Sequence, residues 1–374
     1  MSADSRYPEI DGLRGFACLS VVAHHCYFYG GRYQWPLGLP TLFSYGYLGV
    51  EIFFVLSGFC LAKPLITRGR GENHWGQYAV RRARRILPAY WAWVLILTLV
   101  SVLIARHPVP LLADPALLIV PSSRQFFYVF TLVAVWFVPV FWTLTVEARW
   151  YCILPFCIML WRRIGNMGLV AASVAVSVTF ALAVDHLAPR ARFIIGPLPL
   201  FLPLFAIGIS LASLHRTISR TPSRRMVMVL RGSVLLSIGL VGWFTPAHPE
   251  LAFTYRRLLP GGLLATALTA SGLFDPKLRK LFSNRVLVAV GLISYSLYLI
   301  HLPLIDFIHR WTAAYSWPEW QQLLFYQGLV LPICVLLAYP FYIAFERPFL
   351  RVAASVRTAV LIDAHPQSAS ISRD

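Results

Sequence analysis

Two residues in the first apolar stretch of the chain combine side-chain types and a spacing that suit chemistry. Arg14 and His25 stand eleven positions apart. On an α-helix this interval is about 16 Å of rise and three turns with only about 20° left over, so both side chains lie on one face at different depths. A cation and a histidine inside a membrane are costly and usually functional. We therefore predict that this pair has a function.

Three further ionisable residues are predicted near the depth of His25. Glu51, Glu147 and His301 fall in apolar windows, and all four residues lie roughly 6 to 11 Å from the outer ends of their predicted spans. A single cavity lined by the four residues is the expected arrangement. Simple solvation at the interface is an alternative for Glu51 and His301. It suits Glu147 less well, because that residue is deeper and tryptophans flank it.

A run of arginines precedes the third apolar window. Arg81, Arg82, Arg84 and Arg85 stand within the seven residues before Pro88. A basic run at the cytoplasmic edge of a membrane is an ordinary topology signal or a contact with lipid headgroups. Four guanidinium groups also suit a polyphosphate ligand, because their forked donors match phosphate bidentately. The pattern alone does not separate these alternatives.

The composition indicates the kind of fold that positions these residues. Of 374 residues 58% are hydrophobic and 13% are charged, and the mean hydropathy is +0.66. That charged share is about half of the usual value for a soluble protein. The net charge of +18 could suggest nucleic-acid binding, but in so hydrophobic a chain it more often reports cytoplasmic loops. We predict an all-α polytopic membrane helix bundle in the lipid bilayer, with no nucleic-acid partner.

Hydropathy and loop charge predict about ten transmembrane helices with both termini in the cytoplasm. An eleventh apolar stretch, 114–138, is expected to be re-entrant or interfacial, because a full crossing would place two later basic clusters on the outer side. The accepted windows are 10–29, 46–63, 88–105, 140–161, 168–185, 196–213, 228–245, 258–273, 285–306 and 322–346.

The chain is expected to comprise one transmembrane domain, residues 1–350, and a polar, disordered cytoplasmic tail, residues 351–374. The six cysteines all fall in apolar segments without the spacing of a disulfide framework or a zinc site, so we interpret them as small core residues and expect no metal. The acidic N-terminus has no clear cleavage site, and the first span is expected to stay in the mature protein.

Six segments in one order resemble the acyltransferase family 3 membrane proteins. The chain departs from the usual family pattern at two places. The family usually has Asp where this chain has Glu51, and Glu-Gln where it has Ala148-Arg149. The second departure removes a carboxylate at position 148 but does not affect Glu147. The matching segments are IDGLRG at 10–15 with its Arg-x10-His spacing to His25, GVEIFFVLSGF at 49–59, RRARRILP at 81–88, WTLTVE at 142–147, SYSLYLIH at 294–301 and ERP at 346–348.

The resemblance implies a membrane O-acyltransferase, in a bacterial inner membrane, that moves an acyl group from acyl-coenzyme A to a carbohydrate or other hydroxyl acceptor. Acyl-coenzyme A, in the simplest case acetyl-coenzyme A, is then a co-substrate, and no cofactor is bound permanently. Family members acylate lipopolysaccharide, exopolysaccharide, peptidoglycan and macrolide sugars. The sequence does not indicate which acceptor or which oligomeric state applies here.

Acyl transfer to an alcohol needs a base near the hydroxyl and an anchor for the coenzyme. His25 is the candidate base, oriented by Glu147 or Glu51, or else it carries the acyl group transiently. The expected phosphate ligands are Arg14, Arg82 and Arg85, with Arg81 beside them. The same motifs add four residues to the candidate site, namely Asp11, Ser57, Tyr295 and His301.

Two functions of other classes remain open from the residues alone. Arginine, histidine and glutamate inside a membrane also form proton relays, so a proton-coupled transporter of a small anionic or sugar-like solute is the first alternative. A non-catalytic receptor or membrane partner is the second.

Overall fold

The computed structural model describes residues 7–30, 39–67, 75–106, 123–132, 138–187, 196–218, 222–244, 255–312 and 315–350. Every regular element in these ranges is helical, as predicted for an all-α protein. The predicted tail, 351–374, lies outside the described residues, and so does most of the stretch 114–138.

The helices occupy all ten predicted windows. Short 3-10 helices precede α3 and α6, and the π-helical segments Tyr326–Val330 and Tyr342–Glu346 flank α14. In chain order the helices are α1 Pro8–Tyr29, α2 Leu39–Ser44, α3 Gly49–Thr67, α4 Trp75–Arg106, α5 Ser123–Phe130, α6 Trp142–Ala183, α7 Leu198–Thr217, α8 Arg224–Phe244, α9 Tyr255–Phe274, α10 Pro276–Phe282, α11 Arg285–Leu292, α12 Ser294–Thr312, α13 Glu319–Phe325 and α14 Leu331–Phe341.

Six helices in the described ranges are long and apolar enough to cross a membrane, and a seventh span results if α11 and α12, which meet at a bend of 75°, count as one. The helix α1 is not among them, because Arg14 and two histidines lower its hydropathy. Several apolar spans are therefore present, and the number ten stays a prediction. The helix α5 has eight residues, too few to cross a bilayer.

Two helices differ from their windows in ways that matter for the site. The helix α6 covers two windows, and its backbone breaks at Gly165, where φ is +71°. The helix α4 begins at Trp75, thirteen residues before the predicted start at 88. The arginine run therefore lies inside α4 rather than ahead of it, because arginine is a good helix former and prolongs the helix beyond its apolar part.

Close helix crossings hold α1 and α3 in place. A methyl group on Gly15 of α1 would overlap the backbone carbonyl of Leu287 in α11, and one on Gly58 of α3 would overlap that of Phe205 in α7. Small residues permit such an approach between membrane helices. Because the crossings bring backbones into contact, they fix the positions of Arg14, His25 and the inner face of α3.

Candidate active site

A cavity of about 100 Å³ opens between α1, α3, α4, α6 and α12. Its walls combine apolar and polar side chains, and the polar part contains three arginines, one carboxylate and several hydroxyl groups. The polar lining comprises Arg14, Ser57, Cys60, Arg82, Arg85, Thr143, Glu147, Tyr151, Ser294, Tyr295 and Tyr298. The cavity thus gathers residues from five of the six sequence motifs.

Helical spacing selects which arginines of the run reach the cavity. Arg82 and Arg85 are three residues apart, so they share a face of α4, and both line the cavity with Arg14. Arg81 and Arg84 do not line it. The structure therefore separates two arginines of the run from the other two.

The arginine group has donors available for an anion. The Nε atom of Arg82 is buried and makes no hydrogen bond within the described ranges. Glu346, at the end of the π-helical segment after α14, interacts favourably with the charge of Arg85 and accepts a hydrogen bond from Ser296 at 2.7 Å. A buried guanidinium nitrogen without a partner is costly unless a ligand satisfies it. The three arginines are thus suited to phosphate groups.

Glu147 faces the arginines across the cavity. The Tyr151 hydroxyl, one helical turn further along α6, donates to Oε1 of Glu147 at 2.5 Å. Ser57 of α3 donates to the same oxygen at 3.3 Å. The first distance is that of a strong, charge-assisted bond. Tyr151 therefore holds the orientation of this carboxylate.

His25 and His301 form a pair near the C-terminal end of α1. Nε2 of His301 lies 3.4 Å from Nδ1 of His25, and their ring centroids are 5.1 Å apart. Nδ1 of His25 also lies 2.9 Å from the Val21 carbonyl oxygen, and Nδ1 of His301 lies 2.8 Å from that of Tyr298. Because carbonyls only accept, each Nδ1 carries the hydrogen, and Nε2 of His25 keeps its lone pair. That atom is suited to take a proton.

Tyr298 stands between the cavity and the histidine pair. Its ring lines the cavity, and its centroid lies 5.5 Å from that of His301. Thr143 donates to its hydroxyl at 2.8 Å, and the hydroxyl donates to the Val140 carbonyl at 3.0 Å. These bonds hold the ring at the boundary between the arginine cavity and the histidine pair.

The expected single cavity is therefore divided. Glu147 lines the arginine cavity, whereas His25 and His301 lie beyond Tyr298 and are absent from its walls. Glu51 is buried, and its carboxylate faces Gly261 of α9, also outside the lining. The contacts that orient His25 come from Val21 and His301, and neither glutamate makes a hydrogen bond with it among the described contacts.

Three further predicted site residues lie in or near the arginine cavity. Ser57 and Tyr295 line the cavity, and Tyr295 donates to the Ile86 carbonyl at 2.9 Å, which ties α12 to the arginine turn of α4. Asp11 is outside the lining, but its charge acts favourably on Arg14, three residues later on α1.

Sequence reasoning missed Tyr151 and Tyr298. Both carried a signal, because Tyr151 follows Glu147 by four residues and Tyr298 precedes His301 by three, the spacings that place neighbours on one helix face.

Comparison with known proteins gives one family and several relatives. The family model described as an acyltransferase domain matches residues 7–339. The peptidoglycan O-acetyltransferase OatA of Listeria monocytogenes is 27% identical over 334 residues, which are 80% of this chain and 49% of that protein. The putative peptidoglycan O-acetyltransferase YrhL of Bacillus subtilis is 26% identical over 325 residues, 80% of this chain and 48% of the relative.

A putative O-acetyltransferase of Staphylococcus aureus is 24% identical over 331 residues, 81% of this chain and 51% of the relative. The chain thus spans about half the length of the curated relatives it matches. No solved structure matches it.

Proposed function

This chain belongs to the family of acyltransferase domains that matches residues 7–339, and from that premise we propose that it is a membrane O-acyltransferase. It moves an acyl group, in the simplest case acetyl, from acyl-coenzyme A to a hydroxyl of a carbohydrate acceptor. The names of its relatives support O-acetyl transfer and, for two of them, a peptidoglycan acceptor. The observation that carries the proposal is a cavity lined by three arginines that lies beside a histidine pair.

The proposed topology gives the reaction a direction. Ten spans with both termini in the cytoplasm place the arginine run of α4 on the cytoplasmic side of a bacterial inner membrane, as the distribution of basic residues favours. Arg14 and His25 lie on the continuous helix α1, about 16 Å apart along its axis. The donor then binds from the cytoplasm, and the acceptor meets the acyl group nearer the outer side.

The proposed donor contacts follow from the arginines that line the cavity. Arg14, Arg82 and Arg85 bind the phosphate groups of coenzyme A, and the Nε atom of Arg82 gains its missing partner there. Arg81 precedes Arg82 outside the lining and serves the approach of the polyphosphate. Glu147 accepts a hydrogen bond from an amide N–H of the pantetheine arm, which extends past Tyr298 towards His25.

His25 is the proposed base. Its Nε2 takes the proton of the acceptor hydroxyl while the hydroxyl oxygen attacks the thioester carbonyl. When the carbon–sulfur bond breaks, the proton passes from His25 to the leaving thiolate of coenzyme A, so the imidazole ends neutral. In the alternative route Nε2 attacks the thioester first and coenzyme A leaves as the thiolate; the acceptor hydroxyl then takes the acyl group from the histidine, and the hydroxyl proton passes to the thiolate. An acyl-histidine in rapidly quenched protein would distinguish the second route.

Purified protein with radiolabelled acetyl-coenzyme A and a soluble oligomer of N-acetylglucosamine tests the proposal. We expect label on the oligosaccharide. Cleavage of the donor without any labelled acceptor across a panel of glycans would overturn the carbohydrate assignment. Donor that is transported into vesicles without being cleaved would replace the enzyme by a transporter.

Cys60 offers a separate test of the donor site, because it lines the cavity with the arginines. In a variant that retains Cys60 as its single cysteine, desulfo-coenzyme A, which has no thiol of its own to react with maleimide, is expected to slow maleimide labelling. Arg82→Gln should abolish this protection, and Arg84→Gln is the matched control, since Arg84 is on the same helix but outside the lining. Equal protection in both variants would remove Arg82 from the donor site.

A further inference from the structure

A second group of polar side chains lies on the α1–α12 contact, beyond the histidine pair. It comprises Tyr29, Asp306, His309, Arg310, Thr312 and Tyr326, and we call it the outer cluster. The ring of Tyr29 lies 5.4 Å from that of His309. Tyr29 follows His25 by one helical turn, about 6 Å along α1, so the outer cluster continues the same seam.

An ion pair forms the centre of the outer cluster. Nε of Arg310 donates to Oδ2 of Asp306 at 2.7 Å, and Nη2 donates to Oδ1 at 3.4 Å. The side chains are 16% and 9% exposed, respectively. Taking two charges so far out of water is expensive, and one i,i+4 pair repays that cost only in part. Within the described ranges Asp306 engages two of the five N–H groups of Arg310, so the pair offers donors and acceptor lone pairs to a ligand.

The hydroxyl and imidazole groups of the outer cluster form a short chain of contacts. The Thr312 hydroxyl lies 3.0 Å from the Ile308 carbonyl oxygen and 3.2 Å from the Tyr326 hydroxyl oxygen. The Tyr326 oxygen lies 3.1 Å from Nδ1 of His309. None of the contacts described for His309 involves its Nε2, so this nitrogen is available to a ligand.

We propose that the outer cluster is the binding subsite for the glycan acceptor, a carbohydrate strand with free hydroxyl groups. A sugar hydroxyl donates and accepts at once, so it can bridge Asp306 and Arg310, while a second hydroxyl forms a hydrogen bond with Nε2 of His309. The ring of Tyr29 offers an apolar face, and ligand sites commonly combine such a face with a few placed polar groups. A sugar held there presents a neighbouring hydroxyl to His25. This inference rests on the proposed function and extends it to the acceptor.

A role confined to fold stability is the competing explanation, and the chain supplies a control for it. Arg231 and Asp275 form another bidentate ion pair, between α8 and the start of α10, with Nε–Oδ2 and Nη2–Oδ1 distances of 2.6 and 3.0 Å. Neither Arg231 nor Asp275 belongs to the outer cluster or to the lining of the arginine cavity. Loss of either ion pair should lower the stability of the protein, but only loss of the Asp306–Arg310 pair should weaken glycan binding.

The test measures binding of fluorescent N-acetylglucosamine oligomers and of a muramyl-containing glycan to the purified full chain, beside its thermal unfolding. Arg310→Gln should weaken binding at least roughly tenfold, the usual effect of losing a charge-assisted hydrogen bond. Arg231→Gln should bind as the wild type does. Tyr29→Leu removes the aromatic face while keeping apolar bulk, and should weaken binding several-fold even if Arg310→Gln does not fold.

Wild-type affinity in both Arg310→Gln and Tyr29→Leu would overturn the subsite. So would a wild-type protein that binds acetyl-coenzyme A but none of the glycans, and that result would leave the donor site intact. A protein that binds the glycans but neither binds nor cleaves acetyl-coenzyme A would instead overturn the proposed function and leave the subsite intact.

Discussion

Replacing Tyr151 by phenylalanine deletes one oxygen atom from the wall of the arginine cavity. That oxygen donates to Glu147 at 2.5 Å, and the remaining donor, Ser57, stands at 3.3 Å. A hydroxyl bond to a carboxylate is strongest between about 2.5 and 2.7 Å, so Ser57 does not replace the lost contact without moving. Glu147 would be left free to turn towards the arginines.

The size of the expected effect follows from the strength of the hydrogen bond that is lost. A hydrogen bond to a charged group contributes about 1.5–3 kcal/mol, which corresponds to roughly 10- to 100-fold in a rate or affinity. We therefore expect kcat/KM for acetyl-coenzyme A, at saturating glycan, to fall by roughly 10- to 100-fold in Tyr151→Phe. Because Tyr151 acts through Glu147, it is a positioning residue. The loss of kcat/KM caused by Tyr151→Phe should therefore vanish in a Glu147→Gln background, where the side chain at 147 carries no charge.

The assay uses the labelled transfer reaction with two controls. Tyr90→Phe makes the same chemical change at a buried tyrosine whose hydroxyl donates to the Val129 carbonyl at 2.7 Å. It should lower the unfolding temperature by a similar amount without a comparable loss of kcat/KM. In a double-mutant cycle with Glu147→Gln, the second substitution should add little to the first.

Values of kcat/KM within about twofold of wild type in Tyr151→Phe would refute the reasoning. Equal losses in Tyr151→Phe and Tyr90→Phe would attribute the effect to general loosening of the bundle. Fully additive losses with Glu147→Gln would show that Tyr151 does not act through the carboxylate.

Three further predictions concern the helices that carry the site. Arg14→Lys keeps a charge but loses the forked donor, so the affinity for coenzyme A should fall roughly tenfold in a direct binding assay; unchanged affinity would remove Arg14 from the donor contacts. Gly15→Ala adds a methyl group that overlaps a backbone carbonyl of α11; it should cost about 1–3 kcal/mol in unfolding and reduce transfer, whereas Gly239→Ala, with open space around it, should do neither. The hydrogen bonds from Arg231 hold the pKa of Asp275, between α9 and α10, below its usual range. The stability advantage of the wild type over Asp275→Asn should therefore be full above about pH 4 and disappear as the pH falls through the lowered pKa. A gap between the two unfolding temperatures that persists at the lowest pH would contradict that linkage.

The helical fold and the main contents of the site were accessible from the sequence. All ten windows located by hydropathy contain helix in the structure, and the arginine run, the depth of Glu147 and the resemblance to the family pointed to Arg82, Arg85, Glu147 and Ser57, which the structure brings to one cavity. These features could be recognised because each is contained within a single segment of the sequence.

The arrangement between helices was not accessible in the same way. Depth along each span predicted one cavity for His25, Glu51, Glu147 and His301, but depth says nothing about rotation around the helix axis. The structure turns Glu51 towards α9 and places Tyr298 between Glu147 and the histidines. Such rotations depend on close crossings between distant segments, which a hydropathy profile does not record.

The extent of α4 shows a second limit. A hydropathy window begins only where the charged residues end, so hydropathy predicted that α4 starts at residue 88. The helix in fact begins at Trp75. Only with the arginine run inside the helix do Arg82 and Arg85 separate from Arg81 and Arg84.

The most direct measurement of the role of His25 is glycan acylation by His25→Ala protein, with acetyl-coenzyme A binding determined on the same preparation. His25 is the only group proposed to handle the proton or the acyl group, and its Nε2 keeps the lone pair that the reaction needs. We predict that the variant binds acetyl-coenzyme A within about twofold of wild type and forms no acylated glycan. Acylated glycan formed at the wild-type rate would contradict the assignment of His25.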